Sequence, residues 1–135
     1  MDAKQMSELM EKAKEARERA YAPYSGFCVG AALLCENGEV FEGCNIENAS
    51  YSPTCCAERV ALFSAVSQGY RDFRAIAIAG GSAKEPQCMV TPCGVCRQCL
   101  AEFCSPEFEI LLLGEKKDVQ SITLGELLPL GFSLS

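Results

Sequence analysis

The sequence predicts an α/β fold: three layers, α/β/α, built on a mixed five-stranded sheet. Three observations predict it. Asn37-Gly38 separates two apolar runs, a strong signal for an antiparallel hairpin. Further on, helix-like and strand-like segments alternate, which sets helices on the faces of a sheet. The chain has 135 residues and is 49% hydrophobic, enough for a sizeable core in one domain spanning 1–135.

Each element follows from local pattern. Residues 4–20 read as an amphipathic helix with an apolar stripe of Met6, Leu9, Met10, Ala13, Ala16 and Ala20. Tyr21-Ala22-Pro23-Tyr24-Ser25-Gly26 ends it. Residues 29–35 and 40–44 form the hairpin strands, and 45–53 a polar loop. Residues 56–68 read as a helix closed by Gly69. Residues 73–79 form a buried strand, 80–91 a loop, and 93–103 a second short helix begun after Pro92. Residues 108–113 form another apolar strand, 119–122 a fifth, and 123–128 a last helical turn before Pro129.

Composition narrows the function. The net charge is −6 with no Lys/Arg-rich patch, which argues against a polynucleotide partner. No apolar run is long enough to span a membrane, and residues 1–5 open into a charged helix pattern without the apolar core of a secretion signal. The expected compartment is the cytoplasm. There the ten cysteines point to metal or catalysis rather than to disulfides. Histidine is absent, so a metal site must use Cys, Asp or Glu, and a general base must be a carboxylate or a metal-bound hydroxide.

Two motifs carry chemistry: Cys56-Ala57-Glu58-Arg59 and Pro92-Cys93-Gly94-Val95-Cys96. Both lie where helices start, and the partial positive charge of a helix N-terminus stabilises the thiolate that a metal requires. Cys93 and Cys96 are spaced to share one face of an opening turn. Cys56 and Glu58 would diverge inside a helix, so Cys56 is expected at the cap position and Glu58 in the first turn, where side chains converge over the open end. Three cysteine ligands and a non-ligand glutamate are the equipment of a catalytic zinc site with one open position. The competing arrangement is a closed site of four cysteines, with Cys55 or Cys99 as the fourth ligand. Cys56 is preferred to Cys55 for its offset from Glu58. Cys28, Cys35, Cys44, Cys55, Cys88, Cys99 and Cys104 lack motif spacing and read as buried small hydrophobes.

Taken with Tyr21–Phe27, Val29–Leu33, Gly43–Tyr51, Arg97-Gln98 and Leu127–Phe132, these motifs resemble the small, homotetrameric, zinc-dependent cytidine deaminases over most of the chain. The resemblance implies a cytidine deaminase-like fold and one Zn²⁺ on Cys56, Cys93 and Cys96. It implies hydrolytic deamination of cytidine and deoxycytidine to uridine and deoxyuridine plus ammonia, in pyrimidine salvage, by zinc-bound hydroxide with Glu58 as proton shuttle. By the same resemblance, Asn45 and Glu47 bind the ribose, chiefly its 3′-hydroxyl. Phe27 packs near the base, the Ala57 backbone meets the base's amide edge, and Phe132 reaches into a neighbouring subunit's pocket. Arg59 is expected to offset charge at the metal, with Arg97 as the alternative. Rival functions are deamination of another aminopyrimidine nucleoside, disfavoured by Asn45 and Glu47, and a structural zinc module, disfavoured by Glu58.

Overall fold

The computed structural model describes residues 1–82 and 88–134. Helix α1 spans Ala3–Arg17, strand β1 Phe27–Cys35 and strand β2 Val40–Cys44. Helix α2 spans Ala57–Ser67, strand β3 Phe73–Ser82 and helix α3 Gly94–Phe103. Strands β4 (Glu109–Leu113) and β5 (Val119–Thr123) and a short helix α4 (Leu124–Leu127) complete the order. The five strands form one sheet, β2-β1-β3-β4-β5. It is mixed: β3 and β4 run parallel, and every other pair is antiparallel. The predicted architecture is the observed one.

Strand alternation distributes the core between two faces. Leu33, Ile76, Ile78, Ile110 and Leu112 point to the side covered by α2 and α3, where they meet Leu62 and Leu100. Ala32, Ala75, Ala77 and Leu111 point to the other side, where Leu9, Met10 and Ala13 of α1 cover them. Two glycines allow this close packing. A β-carbon on Gly30 would collide with the Ala13 carbonyl oxygen of α1. One on Gly43 would lie 2.5 Å from both the Ala57 oxygen and the Ala61 nitrogen of α2.

Several boundaries differ from expectation for visible reasons. α1 stops at Arg17, not at 20, because the chain turns so that Tyr21 can bridge to Ile46. Arg17 itself turns inward; its Nε donates to the Cys28 oxygen at 3.1 Å and its Nη2 to the Ser82 oxygen at 2.7 Å. A buried guanidinium thereby ties α1 to the paired ends of β1 and β3. That pairing also extends both strands, since Phe27 faces Ser82 and Cys28 faces Gly81. β3 thus occupies the start of the expected 80–91 loop, and residues 83–87 lie outside the described ones. Of the cysteines without motif spacing, Cys35 is buried, Cys88 is exposed, and the others are half-buried. Buried packing is therefore an incomplete account of them.

Candidate active site

α2 and α3 begin alike. Cys56 caps α2 and Cys93 caps α3, each with extended backbone, so their side chains stand over open helix ends. The Cys93 sulfur accepts from the Cys96 amide at 3.5 Å. The two helix starts bring three sulfurs together: Cys56 Sγ lies 3.8 Å from Cys93 Sγ, which lies 3.6 Å from Cys96 Sγ. Tetrahedral coordination with Zn–S bonds of about 2.3 Å sets sulfurs about 3.8 Å apart. The donor set therefore fits zinc in chemistry and spacing. Among the described residues this is the one such cluster, and Cys55 and Cys99 stand outside it.

The electrostatics of the cluster also call for a cation. Hydrogen bonds from Cys96 and from the Arg59 guanidinium hold the Cys56 thiol down, at about 5. Cys96 is pushed up by its bond to Cys56, by burial and by the nearby Glu58 carboxylate. Thiols this close resist ionising together unless a positive charge joins them.

Glu58 sits in the first turn of α2, as expected, and is only 4% exposed. Burial pushes its carboxyl up to about 7. Arg59 donates from Nη2 to Cys56 Sγ at 3.4 Å. Arg97, the alternative charge-compensating residue, is committed elsewhere: its Nε donates to the Pro92 oxygen at 2.7 Å and its Nη1 to the Leu127 oxygen at 2.7 Å.

A cavity of about 230 Å³ opens against the cluster, lined by Phe27, Asn45, Glu47, Cys56, Ala57, Glu58 and Cys93. Asn45 is bound to strand β1, accepting from the Val29 amide at 2.8 Å and donating to the Phe27 oxygen at 2.8 Å. Glu47 accepts from the backbone amides of Tyr24 at 2.9 Å and Ser25 at 3.1 Å, and from the Ser25 hydroxyl. These bonds, led by the hydroxyl, hold the Glu47 carboxyl below its ordinary range. Ser25 and Thr91 also line the cavity, and sequence reasoning assigned them nothing. Phe132 lies apart from it, 69% exposed, its carbonyl accepting from Gln98 at 3.0 Å. A roomier cleft of about 340 Å³ near α1 and the β1–β2 hairpin, lined in part by Lys12, Glu36 and Arg74, holds no metal-ligating cluster among the described residues.

Comparison with known proteins agrees with this chemistry. Residues 3–112 match the model of the cytidine and deoxycytidylate deaminase zinc-binding region. A cytidine deaminase of Halalkalibacterium halodurans is 52% identical over 93% of this chain and 92% of its own length. One of Sporosarcina psychrophila is 48% identical over 95% of this chain and 91% of its own. The crystal structure of cytidine deaminase from Burkholderia pseudomallei superposes with a TM-score of 0.85 at 50% identity, covering 93% of this chain and 98% of that one. A three-thiol centre on paired helix starts, a buried glutamate beside it and these matches place the chain in the zinc-dependent cytidine deaminase family.

Proposed function

We propose that the protein hydrolyses cytidine and deoxycytidine to uridine and deoxyuridine plus ammonia, in pyrimidine salvage. The observation that carries this is Glu58: a buried carboxyl at about 7, in a cavity walled by the three-cysteine cluster. A group poised near neutral pH can both take and return a proton. Bound to Cys56, Cys93 and Cys96, zinc supplies the Lewis acidity that lets water act as a nucleophile near neutral pH.

The chain's own residues do the rest. Glu58 takes a proton from the water that adds to C4 of the pyrimidine and delivers it to N3. It then passes the second proton to the exocyclic nitrogen, which departs as ammonia. Phe27 packs near the base, and the Ala57 backbone meets its amide edge. Asn45 and Glu47 hold the ribose, chiefly at the 3′-hydroxyl; their fixed orientation supports that role. Arg59 draws electron density from the ligand sulfurs.

We further propose a homotetramer of single-domain chains in the cytoplasm, with Phe132 completing a neighbour's pocket. Two observations support this. Leu130, Phe132 and Leu134 are exposed in an apolar tail, and all ten cysteines are free thiols, which fits a reducing compartment.

The test is Glu58→Gln, followed by the ultraviolet absorbance of cytidine. The variant is expected to keep its fold and zinc and lose about 10²–10⁴-fold or more in kcat, because an amide cannot shuttle a proton. A kcat near the unmodified value overturns the mechanism.

A further inference from the structure

We propose that Ser25 is a positioning residue that limits Glu47 to one ligand hydroxyl and locks that carboxylate to the backbone of Phe27. The inference rests on the function proposed above, in which Glu47 meets the sugar and Phe27 the base.

A carboxylate offers about four lone-pair sites. Glu47 fills three of them within the chain: two with the backbone amides of Tyr24 and Ser25, and one with the Ser25 hydroxyl. One site is left over, and Glu47 lines the cavity beside the three-cysteine cluster. Because the carboxylate is ionised and accepts only, its last partner must be a donor, as a sugar hydroxyl is. A second hydroxyl would have to displace one of the internal donors.

The same Ser25 oxygen accepts from the Phe27 amide at 3.0 Å. Its proton goes to Glu47, and its lone pair receives Phe27. On the other side of Phe27, the carbonyl accepts from Asn45. Phe27 is thus clamped at its nitrogen through Ser25 and at its oxygen by Asn45, so both sugar-facing residues are tied to the residue that packs near the base. Gly26 makes the arrangement possible. With φ at +68° it takes a conformation that side-chain-bearing residues rarely adopt, and it turns Ser25 back over Phe27. A shift at the sugar end is therefore transmitted to the base end, and Ser25 is the covalent and hydrogen-bonded link between them.

The experiment compares Ser25→Ala and Ser25→Thr with the unmodified protein, on cytidine and on 2′,3′-dideoxycytidine. Ser25→Ala is expected to lower kcat/KM for cytidine by about 5- to 30-fold, mainly through KM, with zinc content unchanged. For dideoxycytidine, which lacks the hydroxyl that Glu47 would bind, the loss should shrink to under about 3-fold. Ser25→Thr, which keeps a hydroxyl, should restore most of the cytidine value. The ratio of the two substrates in one preparation cancels any inactive fraction. Equal losses on both substrates, or no loss on cytidine, overturn the role of Ser25 alone. An unmodified zinc-loaded protein that leaves cytidine untouched overturns the proposed function, and this inference with it.

Discussion

The guanidinium of Arg59 lies 3.4 Å from the sulfur of Cys56, one turn away on the same helix start. Its Nε is buried without a hydrogen-bond partner among the described residues, so the bond from Nη2 to Cys56 is what the structure shows tying the guanidinium to the cluster. Three thiolates and one Zn²⁺ carry a net charge of −1, which weakens the metal as a Lewis acid. A guanidinium bonded to a ligand sulfur would withdraw part of that density, which is the role proposed for Arg59. Arg59→Ala is expected to lower zinc affinity or activity by about 10–100-fold, the usual scale for groups that support metal ligands. Competition with a chelator and a pH–rate profile check this; both unchanged would remove Arg59 from the centre.

The centre was legible because its geometry is local. Cys56 to Glu58 and Cys93 to Cys96 are short spacings, and the helix starts that orient them are visible in the same residues. The choice of Cys56 over Cys55 followed from that local geometry as well. What stayed hidden depends on chain segments distant in sequence. Ser25 reads as a turn residue until Glu47 is folded over it. Arg17 reads as the polar face of a helix until carbonyls at the ends of β1 and β3 arrive to accept its hydrogen bonds. The early start of β1 at Phe27 was hidden for the same reason: Gly81 and Ser82, far along the chain, supply its partners. Arg97 sits beside a ligand in sequence, yet its guanidinium serves two carbonyls, one of them in α4.

Gly43 sets how closely α2 approaches the sheet, and α2 carries Glu58 in its first turn and is capped by Cys56. An alanine there would place its β-carbon 2.5 Å from two backbone atoms of α2, and backbone cannot swing aside as a side chain tip can. Gly43→Ala is expected to cost about 1–3 kcal/mol of stability, as overpacking does, and to lower kcat by displacing Glu58. Thermal unfolding and steady-state kinetics check both parts. A variant with normal Tm and normal kcat would show that α2 has slack at this contact.

Cys104 gives the fold an alkaline weakness. Burial alone pushes its thiol up to about 12. In the unfolded chain the thiol returns to about 8.5. Below that value both states keep the proton, and the group has no effect on stability. As pH rises from about 8.5 toward 12 the unfolded chain loses its proton first, so stability falls across that window. Cys104→Ala should lower Tm slightly at pH 7 through lost packing against the edge of the core, yet show a smaller drop in Tm between pH 8 and pH 11 than the unmodified protein. Parallel Tm curves for the two proteins would rule out this contribution.

Phe132 tests the shared pocket. The residue is 69% exposed, while its backbone carbonyl accepts from the Gln98 side-chain amide at 3.0 Å, so an exposed aromatic residue stands on a held segment. If it stacks on a pyrimidine bound by a neighbouring subunit, it contributes about 1–3 kcal/mol, the range seen for single base–aromatic stacks. Phe132→Ala should then raise KM by about 5- to 150-fold at unchanged zinc content, since about 1.4 kcal/mol is a factor of ten. Mixing Phe132→Ala chains with Glu58→Gln chains is the sharper measurement. The first has working pockets and no ring; the second has the ring and no working proton shuttle. Assemblies containing both should recover part of the normal KM, because rings from Glu58→Gln chains can serve pockets of Phe132→Ala chains. An additive mixture with no recovery, or full activity from a species that light scattering shows to be a monomer, would mean that each chain completes its own pocket.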